Sequence, residues 1–167
     1  SYSSSQDFTK AEIQLIKILD IRKEKLGKFH PDLIFDLNSL AGVYIEQLKY
    51  IKAQEILEEG YDIVSHTYGK LSEHAMKQIS LMALLSYKAK KYPQAITKCE
   101  EAINSLSEVY PNTNALYLPF YQRLSLIFKT TNDFKKATNF SLKALKVSEF
   151  NYGNQSTQLV VDLSLLV

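Results

Sequence analysis

Little in this chain points to covalent chemistry. It has one cysteine, Cys99, no tryptophan, three histidines, five glycines and four prolines in 167 residues. A single cysteine excludes a disulfide framework and a zinc site, and it suits a reducing compartment. His30, His66 and His74 have no carboxylate or second histidine at ligand spacing, so neither a metal nor a catalytic role is expected. Cys99 reads as a small core residue rather than a nucleophile. The scattered glycines build no phosphate-binding loop. Net charge is only +2, too little for the clustered basic surface that nucleic acid requires. The longest apolar runs are a few residues, so no membrane span or signal peptide is expected. These absences leave no enzyme, no cofactor and no metal in the reading.

What is present is periodic. Apolar residues make up 46% of the chain, enough for a continuous core. The stretch 37–60, LNSLAGVYIEQLKYIKAQEILEEG, reads as two amphipathic helices joined by a tight turn. A step of 42 residues links Ala11, Ala53, Ala95 and Ala137. The same step links Phe8, Tyr50, Tyr92 and Phe134, and also Leu26, Tyr68, Tyr110 and Tyr152. Gly27, Gly69, Pro111 and Gly153 form another column, and Ala41, Ala83 and Ser125 a fifth. Small residues let two helices approach closely. The aromatic is expected to plug the turn between them. Gly, which takes the left-handed conformation, or Pro, which cannot continue a helix, ends the second one.

This pattern resembles the tetratricopeptide repeat, which has a core of 34 residues. Leu37, Leu40-Ala41, Tyr44, Ala53 and Gly60 fall on its signature positions. So do Ile79, Met82-Ala83, Ala95 and Ala102, then Tyr121, Leu124-Ser125, Phe128, Ala137 and Ala144. The longer period and the phrase 21–44 look like the kinesin-light-chain type. The Gly-x-x-His-Pro link at Gly27–Pro31 is not kept after Gly69, Tyr110 or Gly153. A HEAT-like array has a similar period but fits Leu40-Ala41 and Ala53 less well.

The resemblance implies an all-α fold, a right-handed α-solenoid of antiparallel helix pairs. One such solenoid is expected over 1–167, cut through a repeat at both ends. Its parts are a second helix over 9–26, repeats over 32–69, 73–110 and 114–152, and the first helix of a further repeat over 154–167. Ile13, Ile16, Leu19 and Ile21 are expected to bury one face of the helix over 9–26.

In this repeat class the first helices line a concave groove. The residues expected to point into it are Asn38, Lys77, Ser80, Leu84, Tyr87, Lys88, Gln122, Leu126 and Lys129. Lys77, Ser80, Leu84 and Lys88 are spaced to share one helix face. Amides such as Asn38 and Gln122 suit an extended peptide backbone, and the lysines suit acidic side chains. Resemblance to the kinesin-light-chain type implies a backbone-holding role for Asn38, where later units have Ser80 and Gln122 instead. The second helices differ in charge. Glu55, Glu58, Glu59 and Asp62 make one acidic; Lys135, Lys136, Lys143 and Lys146 make another basic.

The function expected is a non-enzymatic scaffold or adaptor. It would hold a protein or peptide partner, an acidic extended segment by its charge, or pack as a rod within a larger complex. The alternative is the helical accessory domain of an enzyme such as a SET-domain methyltransferase. The expected place is the cytoplasm, with cytoskeletal or ciliary assemblies implied by resemblance.

Overall fold

A computed structural model describes residues 2–153, with side chains from Asp7 onward. The further helix expected over 154–167 lies outside the described residues. Among those described there are seven α-helices, one short 3-10 turn and no strand. The chain divides into two compact units, 1–89 and 90–167.

The first unit holds α1 (Tyr2–Leu26), α2 (Leu33–Glu46), α3 (Tyr50–Tyr68) and α4 (Glu73–Lys88). Successive helices pack on one another, α1 on α2, α2 on α3 and α3 on α4. Leu33, Leu37, Leu40 and Tyr44 of α2 meet Ala53, Leu57 and Ile63 of α3 and Met82 and Leu85 of α4 in one buried cluster. Burying each of the larger aliphatic side chains contributes about 1.5–3 kcal/mol. Ala41 and Ala53 are almost fully buried, so the small columns lie at the helix contacts.

The second unit holds α5 (Tyr92–Ser107), α6 (Leu118–Thr130) and α7 (Phe134–Tyr152), with the 3-10 turn Ala115–Tyr117 before α6. Here Ser125 fills the small position of α6, and its Oγ lies 2.6 Å from Ser141 Oγ of α7, both buried. A hydroxyl pair at this contact satisfies both polar groups without added volume. Beside it, rings stack in series: Tyr117 on Tyr121 at 5.7 Å, Tyr121 near Phe140 at 6.2 Å, and Phe140 on Phe128 at 5.7 Å.

The turn inside each helix pair repeats at the backbone level. First helices end at Glu46, Lys88 and Thr130, and second helices begin at Tyr50, Tyr92 and Phe134. Between them Leu48, Lys90 and Asn132 take φ of 59°, 59° and 63°. The Lys49 and Asp133 amides reach back to Tyr44 and Phe128 carbonyls at 2.8 and 2.9 Å. This left-handed column is invisible in the sequence, because only Asn132 is a residue that tolerates it well. Leu48 is 70% exposed, so its side chain adds little packing there. Leu48→Gly is therefore expected to raise the unfolding free energy of the first unit by about 1 kcal/mol. Urea denaturation checks this; a lowered midpoint would show that Leu48 holds the turn by contacts instead. The aromatic column meets the turn unevenly: Tyr50 and Tyr92 are half-buried, whereas Phe134 is exposed.

Three expectations need correction. The helix expected from 9 runs back to Tyr2 without a turn. A continuous helix avoids the left-handed residue that the turn costs in the other units. Second, Ile13, Ile16 and Ile21 are exposed, and of the four apolar residues expected to be buried only Leu19 is. In α3 the residues of the Ile21 and Ile18 columns, Ile63 and Gly60, are buried under helices on both sides. Among the described residues α1 packs chiefly on α2. Ion pairs hold it as well: Arg22 to Asp36 at 2.8 Å, Lys23 to Glu59 at 2.6 Å and Lys49 to Glu12 at 2.7 Å. The Lys49 ammonium bonded to Glu12 holds that carboxyl below the usual carboxylate range.

The third correction concerns helix ends. Gly69 and Gly153 have φ of 89° and 74° with ψ of 156° and 172°. This is the extended positive-φ region, which only glycine enters readily, and not the left-handed helical one. Pro111 cannot follow. α5 stops at Ser107, and an irregular link leads on to α6. Tyr117 Oη donates to the Tyr110 carbonyl at 3.0 Å, and Asn151 Nδ2 to the Thr113 carbonyl at 2.7 Å, closing that link.

Candidate partner-binding faces

The first helices begin after a further column that the sequence hides. His30 Nδ1 accepts from the Asp32 amide at 3.2 Å, Ser72 Oγ from the Ala75 amide at 3.2 Å, and Asn114 Oδ1 from the Leu116 amide at 2.9 Å. Three side chains of different type thus do the same work, satisfying an amide that the helix start leaves without a partner. A side-chain acceptor at the same step of 42 residues was the signal available.

In the first unit, α2 carries Asn38 and α4 carries Lys77, Ser80, Leu84, Tyr87 and Lys88. Lys77 and Lys88 are exposed; Ser80, Leu84 and Tyr87 are half-buried. The opposite side of α4 is in the core through Met82, Ala83 and Leu85. The spacing of Lys77, Ser80, Leu84 and Lys88 therefore places one stripe on the open side of a helix anchored from behind. Neither lysine makes an ion pair among the described residues. Tyr50 Oη donates to the Lys88 carbonyl at 3.2 Å and ties the end of the stripe to α3.

Asn38 is half-buried, and its Oδ1 is buried without a hydrogen-bond partner. An acceptor held this way costs about 1–3 kcal/mol, a cost that a donor brought to it would remove. Phe35, one turn before Asn38, is 76% exposed, the most open aromatic of α2. The site residues singled out in the sequence did not include it, although its position at the open side of a first helix was readable.

In the second unit, Gln122, Leu126 and Lys129 are half-buried along α6. The buried side of that helix is Tyr121, Leu124, Ser125 and Phe128. Its open side thus mixes an amide, an aliphatic chain and a cation, as α4 does. Among the described residues no three His, Cys, Asp or Glu side chains come together as a metal site, and no helix is long and apolar enough to cross a membrane.

The profile of the tetratricopeptide repeat matches residues 1–65. The chain carries tetratricopeptide repeats. Solved structures show the same fold along nearly its whole length. BtubC (BKLC) from P. vanneervenii is 22% identical with a TM-score of 0.73, covering 98% of this chain and 65% of its own. A Podosopora anserina protein, named for the nearly identical TPR-like repeats of a kinesin light chain, is 14% identical with a TM-score of 0.70, covering 99% and 78%. At these identities the likeness is one of fold. No curated protein matches the sequence. The tetratricopeptide signature agrees with the burial: Ala41, Ala83 and Ser125 on the first helices, and Ala53, Ala95 and Ala137 on the second, are all buried.

Proposed function

We propose that this protein is a non-enzymatic scaffold that holds an acidic, extended segment of a protein partner along its first helices. The observation that carries the reading is the α4 stripe: two exposed cations without ion pairs, Lys77 and Lys88, bracketing Ser80 and Leu84 on one helix face. An acidic side chain at each end gains a cation that has no competing carboxylate. Leu84 and Tyr87 give an apolar floor between them. Asn38 supplies an amide for the partner's backbone. In the second unit Gln122, Leu126 and Lys129 give the same three chemistries to the same partner. The lone buried thiol suits work in the cytoplasm.

The test is affinity capture from native extract with the full chain as bait, read by mass spectrometry. The comparison is a variant carrying Lys77→Glu, Lys88→Glu and Lys129→Glu. Exposed changes of this kind alter stability by about 0.5 kcal/mol or less each. The expected result is a partner lost from the variant while its helical circular dichroism is kept. Identical partners on both baits would sink the reading and leave the outer helix faces as the contact.

A further inference from the structure

The second helices present outward stripes that complement one another. On α3 the exposed residues Ile51, Lys52, Glu55, Glu58 and Asp62 follow one face. On α7 the exposed residues Phe150, Glu149, Lys146, Lys143 and Asn139 follow one face when read backwards. The spacing is the same in both directions. Laid antiparallel, the helices set Ile51 against Phe150, Lys52 against Glu149, Glu55 against Lys146, Glu58 against Lys143 and Asp62 against the Asn139 amide. Two of the three charge pairs run one way and the third the other, so the match is one of pattern and not only of net charge. A parallel alignment at the 42-residue step sets only Asp62 against Lys146 as opposite charges.

The side chains are held ready. Lys143 Nζ lies 5.0 Å from the Phe140 ring centroid and 5.7 Å from that of Tyr121. Lys52 Nζ lies 5.5 Å from the Tyr44 ring centroid. Glu58 accepts from Gln54 Nε2 at 2.6 Å. The apolar pair is open, Ile51 at 77% and Phe150 at 72% exposure, an unusual state for side chains of that size on a charged helix face.

We infer that α3 of one copy docks antiparallel on α7 of a second copy, so that the protein associates with itself through its outer helix faces. The occupant is a second copy because the complementary stripe is on this same chain. Contacts of this kind join two different patches and are heterologous.

Analytical ultracentrifugation of the full chain tests it, with two charge-reversed variants. One carries Glu55→Lys and Glu58→Lys; the other carries Lys143→Glu and Lys146→Glu. The wild type is expected to show concentration-dependent association that weakens with added salt. Each variant alone is expected to associate roughly tenfold more weakly. Mixed in equal amounts, the two variants restore opposite charges across the contact and are expected to recover association. A wild type that stays monomeric at all concentrations overturns the inference. So do variants that associate as well as wild type, or a mixture that recovers nothing while both keep wild-type helicity.

Discussion

Cys99 is expected to react with Ellman's reagent at least about a thousand times more slowly in the folded protein than a free cysteine does at pH 8. The thiol is fully buried on α5, and that burial pushes it up to about 12. The thiolate is the reacting species, and moving it from water into the packed α5 environment lacks a compensating partner strong enough to offset the loss of solvation. A free thiol with a pKa near 8.5 is substantially ionised at pH 8, whereas this one is ionised to a few parts in ten thousand or less. Because Cys99 is the only cysteine in the chain, the reaction reports a single site. In urea sufficient to unfold the second unit the rate should rise to that of a free cysteine. A folded-state rate within tenfold of the free value would mean that α5 is not packed as described. The same shift has a pH consequence. Above about pH 9 the unfolded chain gives up the thiol proton and the folded chain keeps it. Stability therefore falls as pH rises there, by at most about 1.4 kcal/mol per pH unit from this group.

Gly69→Ala is expected to destabilise the first unit by about 2 kcal/mol. A methyl group at this position meets nothing within 4 Å, so the cost is in the backbone alone. The extended positive-φ conformation turns the chain from α3 into α4. It also places the Gly69 carbonyl to accept from the Ser72 amide at 3.2 Å and Ser72 Oγ at 2.7 Å, while the Gly69 amide closes α3 on Ser65 at 3.1 Å. Alanine must either bear the strain or let these bonds go. Gly42→Ala is the matched control. Gly42 sits inside α2, also with nothing within 4 Å, and alanine there should stabilise by about 0.5–1 kcal/mol. Urea midpoints for the two variants should move in opposite directions with unchanged slope. Equal or same-signed shifts would contradict the conformational account of the helix ends.

The two glycines show how much could be read from the chain and how much could not. Columns that work by size were legible. Ala41, Ala53, Ala83, Ala95 and Ser125 are small because a helix passes close by, and every one is buried. Columns that work by backbone conformation or by a single hydrogen bond were not. Leu48, Lys90 and Asn132 share a left-handed φ, and His30, Ser72 and Asn114 share an acceptor role, yet neither set shares a residue type. The isoleucines of α1 misled for another reason. Periodicity identifies an apolar face but does not supply the helix that covers it. The break in regularity after Ser107 was marked by Pro111 in a glycine column, although the 3-10 turn that replaces the sharp bend was not.

For the binding faces, spacing was enough to place Lys77, Ser80, Leu84 and Lys88 on one side of a helix. Their exposure and the absence of ion pairs at the two lysines, among the described residues, are properties of neighbours distant in sequence. The unpaired Asn38 Oδ1 is likewise a property of packing.

The measurement that tests the partner-binding account most directly is hydrogen exchange on the full chain, free and saturated with the partner recovered by affinity capture. Added protection is expected along the first helices, over 77–88 of α4 and 122–129 of α6. Protection confined to the outer helices α3 and α7, with α4 and α6 exchanging as in the free protein, would contradict it.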